Sequence, residues 1–175
     1  MYLPSEDTFL LIKCLESAKL EGKILEIGVG SGEVIKTVLS KAEFCAGCDM
    51  ELETLKQIRS ELPDEIELVC CDSGKCFMSN SYDVIMFNPP YLPSKKIIDH
   101  TIDGGRVGNE VVLKFLDVSL RLVKSTGSIF FVTSSLADVR HIIDFVEKRG
   151  FICDEVAKEH YMFEVISVFR CRQSS

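Results

Sequence analysis

Asn88-Pro89-Pro90-Tyr91 stands at the end of an apolar run, YDVIMF, and is the most chemically pointed stretch of the sequence. Two prolines stiffen the backbone and remove amide donors, which leaves carbonyls free to accept. The Asn88 side chain adds a further carbonyl acceptor beside an amine donor. Acceptors converging in this way suit a planar –NH2 group, and Tyr91 offers a flat face against which that group can stack. Amide and aromatic amines are weak nucleophiles because the nitrogen lone pair is delocalised. A site that grips both protons raises lone-pair availability, and alignment with an electrophilic methyl supplies the rest by proximity. Asn88, Pro89 and Tyr91 are therefore the candidate catalytic residues, with Pro90 beside them in the acceptor pocket. The bland alternative is a rigid turn after a strand.

A second group lies upstream. Glu26-Ile27-Gly28-Val29-Gly30-Ser31-Gly32 follows an apolar run and precedes a segment with helical spacing. Glycines there allow positive φ and close approach of a ligand to the backbone. A dinucleotide fingerprint would read G-x-G-x-x-G. This one reads G-x-G-x-G with Glu33 next, and an acidic helix start repels pyrophosphate. Glu26 favours a ligand carrying a positive group. S-adenosylmethionine, with an ammonium, a sulfonium and no phosphate, meets both conditions. Asp49 follows Gly28 by 21 residues at the end of the next apolar run, where a carboxylate accepts from both ribose hydroxyls. Asp72 ends a third run, beside the expected adenine.

These positions require an ordered framework. Strand-like runs at residues 23–28, 44–50, 66–72, 82–88 and 128–133 alternate with helix-like segments at 31–41, 51–62, 110–123 and 136–149. Two last strands, 151–158 and 164–170, have no helix between them and should pair antiparallel. Such alternation predicts an α/β domain with a mostly parallel, doubly wound seven-stranded sheet, an antiparallel C-terminal strand, and helices on both faces. Ligands of such sheets lie beyond the carboxyl ends of the strands, where all the candidate residues fall. One domain over residues 1–175 is expected, with a helical segment at 1–20 and a long substrate loop at 88–107.

Composition narrows the partners. The 175 residues are 46% hydrophobic and carry a net charge of −7. Disorder is excluded, and binding dominated by phosphates is disfavoured. Lys95, Lys96 and Arg106 would make only a thin phosphate footprint. No secretory signal or membrane-length apolar run is visible, so an intracellular protein is expected, cytoplasmic with room for a nuclear pool. The eight cysteines are expected to be reduced and mostly buried. Cys45 and Cys48 have zinc-ligand spacing, but no second pair follows, and His100, His141 and His160 are remote. No metal is assigned.

Taken in order, Leu3-Pro4-Ser5-Glu6-Asp7-Thr8-Phe9-Leu10-Leu11, the glycine turn, Asp49, Asp72 and Asn88–Tyr91 resemble the HemK-type class I methyltransferases. The resemblance covers nearly the whole chain. It is nearest to the short archaeal and eukaryotic branch acting on the glutamine of a GGQ motif in class 1 peptide release factors. Asp103-Gly104-Gly105-Arg106-Val107-Gly108 resembles that branch's loop after the tetrapeptide. The resemblance implies protein N5-glutamine methylation, with S-adenosylhomocysteine as product. It places Glu6, Asp7 and Thr8 near the cofactor with Glu26, Gly28, Gly30, Gly32, Asp49, Asp72 and Asn88. From the residues alone, Ser5 would cap a helix whose first turn is acidic. The resemblance further implies a small zinc-binding activator protein of the Trm112 type. An edge strand from Ile66 to Cys71 would receive it. N6-adenine methylation of DNA and lysine methylation remain the alternatives.

Overall fold

The computed structural model describes residues 4–90 and 109–174. A helix, α1 (Glu6–Ser17), leads into β1 (Lys23–Ile27), α2 (Glu33–Val38), β2 (Phe44–Asp49), α3 (Leu52–Arg59) and β3 (Ile66–Cys70). After β4 (Tyr82–Phe87) come α4 (Glu110–Leu122), β5 (Val123–Ser134), α5 (Val139–Glu147), β6 (Phe151–His160) and β7 (Val165–Gln173). The seven strands form one sheet in the order β3-β2-β1-β4-β5-β7-β6. All pairs from β3 to β5 are parallel, and β7 runs antiparallel to both of its neighbours. The expected sheet is therefore present.

Apolar continuity explains the centre. Ile24, Leu25 and Ile27 in β1, and Ile85, Met86 and Phe87 in β4, are all inaccessible to solvent. Strands buried on both faces carry such unbroken runs rather than alternating patterns. From β1 the chain winds outward through β2 and β3, then restarts through β4 and β5 in the opposite direction. Right-handed crossovers then place α2 and α3 on one face and α4 on the other. α1 packs against α2, and α5 against α4. Lys41 fastens the end of α1, its Nζ donating to the carbonyls of Leu15 (2.8 Å), Glu16 (2.7 Å) and Ala18 (2.9 Å). Those carbonyls belong to the last turn and just beyond, where a helix has no internal donors.

Element boundaries depart from the periodicity in instructive places. The helix expected over 31–41 is six α-helical residues and a short 3-10 turn at Leu39–Lys41. β5 starts at Val123 rather than 128, directly after α4, because Val123 pairs with Tyr82 across an irregularity in the β4 register. Ser5 does not cap α1 with its side chain; its hydroxyl donates to Asp7 Oδ1 instead.

The cysteines need two corrections: fewer of them are buried than expected, and two are not thiols. Cys153 and Cys171 are not free thiols but a disulfide, because they face each other across β6 and β7 with Cα atoms 4.1 Å apart. Cys70 and Cys76 are exposed. Cys45 and Cys48 are buried as expected, and burial pushes the Cys45 thiol up to about 12, so it stays protonated and behaves as a small hydrophobe.

Candidate active site

The glycine turn after β1 is stitched to β2. The amides of Gly28 and Val29 both donate to the Cys48 carbonyl, at 2.8 and 3.1 Å, and Gly32 N closes back onto Val29 O at 2.9 Å. Gly30 has φ +52°, and a Cβ there would meet nothing nearer than the Gly28 carbonyl at 3.9 Å. The turn therefore leaves open space above Gly30, with left-handed backbone around it. Below the turn the situation is reversed. A Cβ on Gly47 of β2 would overlap Val29 and press on Ile35, so this glycine lets the turn lie down on the sheet.

Glu26 is 2% exposed in the middle of this apolar strand. Its Oε2 has no hydrogen-bond partner among the described residues. Burial raises its pKa well above the usual carboxyl range; the Ile35 amide opposes the shift, and the Asp49 charge adds to it. An orphaned carboxylate oxygen in a dry site is costly. A cationic ligand would satisfy it. Asp49 is pinned at the end of β2, where Oδ2 accepts from Gly30 N at 3.3 Å and Oδ1 from Glu51 N at 3.0 Å. Each oxygen retains a further lone pair for an incoming hydroxyl.

Asn88 follows β4, and β4 lies beside β1 with Met86 opposite Glu26. Asn88 Nδ2 donates to Thr8 Oγ1 at 3.2 Å, while Asn88 Oδ1 is buried without a partner among the described residues. Thr8 and Asp7 are themselves 5% and 3% exposed. Asp7 Oδ1 accepts from Thr8 N at 2.7 Å, from Ser5 Oγ at 2.5 Å and, weakly, from Thr8 Oγ1 at 3.4 Å. The amide of Asn88 is thus held by its nitrogen with its oxygen left over. Pro89 is buried beside it and Pro90 half-buried. Tyr91 and the rest of the expected loop to residue 107 lie outside the described residues.

Two sequence-chosen residues stand differently. The Asp72 carboxylate already accepts from Lys114 at 2.6 Å, Lys75 at 2.7 Å and the Ser73 hydroxyl at 2.7 Å. These bonds, Lys114 first, hold it well below the usual carboxyl range. Glu6 is exposed on the first turn of α1, whereas Asp7 and Thr8 turn inward. Sequence reasoning missed Lys114, 42 residues away on α4, which no local pattern ties to Asp72. It also missed Phe115, whose ring lies 3.3 Å from where a Gly28 Cβ would stand.

The geometry defines a class: a doubly wound α/β domain with an open glycine turn, acidic residues at successive strand ends, and a buried acceptor after β4. The family model described as the methyltransferase small domain matches residues 6–167, and the chain belongs to that family. A Methanocaldococcus jannaschii protein provisionally named a protein N5-glutamine methyltransferase is 28% identical, over 96% of this chain and 89% of its own length. The Schizosaccharomyces pombe eRF1 methyltransferase catalytic subunit mtq2 is 24% identical, over 97% and 88%. Among solved structures, the E. cuniculi Mtq2-Trm112 complex, described as methylating the eRF1 translation termination factor, superposes with TM-score 0.82. That match is 23% identical and covers 99% of this chain and 98% of the other, so the whole fold is shared. No helix among the described residues is long and apolar enough to cross a membrane.

Proposed function

We propose that this chain is the catalytic subunit of an S-adenosylmethionine-dependent methyltransferase that N5-methylates the GGQ glutamine of a class 1 peptide release factor. The observation that carries the reading is the Asn88 side chain, tethered through Nδ2 with Oδ1 buried and unmatched. An acceptor in that state takes an N–H of a substrate amide and holds the amide plane still. The Pro89 carbonyl is assigned the second N–H, and Pro90 and Tyr91 the walls of the pocket. Gripping both protons draws the nitrogen lone pair out of conjugation as the new N–C bond forms.

The residues present fit the cofactor. Glu26 offers its orphaned oxygen to the ammonium, Gly28, Gly30 and Gly32 an open backbone, and Asp49 its free lone pairs to ribose hydroxyls. Bound there, S-adenosylmethionine supplies an electrophilic methyl on sulfur. Asp7 and Thr8 close the site from α1, with Glu6 at its outer rim. Asp72 is assigned to the adenine, with its charge already compensated by Lys75 and Lys114.

A small zinc-binding activator of the Trm112 type is the proposed partner, and the two sheet edges support where it sits. β6 carries a register irregularity between Glu155 and Ala157, a feature that spoils edge pairing. β3 is short and regular, and Phe44, Met50 and Leu52 around it are 40%, 64% and 51% exposed. An edge of this kind pairs readily with another chain. Met50→Arg, at the exposed surface beside β3, is expected to prevent co-purification while leaving the fold intact.

The test is transfer of radiolabelled methyl by the co-expressed pair. Three acceptors are compared: intact release factor, its Gly-Gly-Ala variant, and adenine-containing DNA. Label on the intact factor alone supports the reading. Label on DNA alone replaces it with N6-adenine methylation, against the −7 net charge.

A further inference from the structure

The turn joining β6 to β7 carries Met162 and Phe163, which are 87% and 85% exposed. No other large hydrophobic side chain of the described residues is as open to water. The turn is nonetheless tightly held. Tyr161 N donates to Glu164 O at 2.8 Å, and the Tyr161 hydroxyl to Glu159 at 2.7 Å. Glu164 accepts from the Ser134 hydroxyl, while Ser135 exchanges bonds with both polar backbone groups of Val165. Further along, the Cys153–Cys171 disulfide ties the two strands together. Two apolar side chains are thus presented on a stiff support, which reduces the ordering cost of any contact they make.

Their position is informative. Ile166 pairs with Ser134 at the carboxyl end of β5, and the neighbouring β4 ends just before Asn88. α1 packs against both β6 and β7. The Tyr161 phenol, held first by Glu159, also feels the charges of Glu6 and Asp7. Asp7 adjoins Thr8, and Thr8 holds Asn88. The tip therefore borders the catalytic mouth on the side away from β2 and β3. Phe9, 58% exposed in the first turns of α1, follows Thr8. Among the described residues the charges flanking this rim are Glu6, Glu159 and Glu164, with His160 next to Glu159 and Lys158 already paired with Glu155 at 2.9 Å.

We propose that the Met162–Phe163 tip is a docking anchor for a folded protein substrate whose contacting face is basic around an apolar seat. This rests on the reading that the reaction modifies a protein side chain. The acidic surround supplies steering and register, and the two apolar side chains supply the contact that slows release. A free amino-acid or peptide amide would reach Asn88 without the tip, so the tip acts on recognition of the whole protein and not on chemistry.

The experiment compares the co-expressed pair with its Met162→Ser/Phe163→Ser double variant, using intact release factor over a range of concentrations and salt. Circular dichroism melting and cofactor affinity are measured alongside. The expected result is a KM for the factor raised tenfold or more, with kcat within twofold and with melting and cofactor affinity unchanged. An unchanged KM overturns the docking role while leaving the proposed reaction standing. A fall confined to kcat overturns it too, placing the tip in the chemistry. No transfer by the wild-type pair overturns the proposed reaction and this inference together. Self-association of the wild type that the double variant abolishes would reassign the tip to a contact between copies.

Discussion

Asn88 Nδ2 donates to Thr8 Oγ1 at 3.2 Å, joining the loop after β4 to the first turn of a helix 80 residues earlier. The hydroxyl has its own outlet in Asp7 Oδ1, so it is directed to accept from Asn88. That assignment fixes which end of the Asn88 amide is left for the proposed acceptor. Thr8→Val keeps the shape and deletes the acceptor. It is expected to lower kcat by about tenfold, the scale of one neutral hydrogen bond, and Thr8→Ser is expected to restore it. Steady-state kinetics on both variants would separate this from a purely structural role, which serine would not rescue selectively.

Asn88→Ala removes the proposed grip on the reacting amide. Loss of one such preorganised group lowers kcat by roughly a hundredfold to a thousandfold. Cofactor affinity, measured by calorimetry, is expected to stay within a few-fold. A collapse of that affinity would assign Asn88 a structural role instead.

Glu26 makes a prediction about pH. Its folded pKa lies well above the ordinary carboxyl value of 4.5 because it is buried. In the ligand-free protein it favours folding while protonated. As pH climbs past 4.5 the unfolded chain gains more by ionising, and this contribution fades until the folded pKa is passed. Melting temperatures across this range should fall more steeply with rising pH for the wild type than for Glu26→Gln. Cofactor binding has the opposite dependence. A cationic group needs the carboxylate, so affinity is expected to rise with pH in the wild type and to be weak and flat in Glu26→Gln.

Lys41 gathers three carbonyls at the end of α1 on one ammonium. Lys41→Met leaves those acceptors to water and frees the helix end. Urea unfolding should show a loss of about 1.5–3 kcal/mol, the range for charged hydrogen bonds. Because α1 carries Thr8, activity should soften before the global transition.

Much of this was legible beforehand because it follows from short-range chemistry. A run such as KILEI followed by three spaced glycines leaves few alternatives to a buried strand and an open turn. Asn88 was likewise legible from its prolines. What depends on register was not. Val123 reads as the end of the 110–123 helix, and residues 124–127, KSTG, belong to no element until Val123 finds Tyr82. Cys153 and Cys171 become partners only through the pairing of β6 with β7. Lys114 reaches Asp72 only once α4 is laid across the sheet. Gly47 gives no local signal, since its role is to make room for Val29 and Ile35.

The strand order sets β1 and β4 side by side, with β2 and β3 beyond β1 on one side and β5, β7 and β6 beyond β4 on the other. Glycine turn and Asp49 thus descend from one stretch of sequence, while Asn88 and the Met162–Phe163 tip descend from another. Heritable change can then fall unevenly. Substitutions in the later stretch can follow a changing substrate while the glycine turn and Asp49 are kept unaltered, and one methyl-donor apparatus can be handed down to recipients that share nothing else.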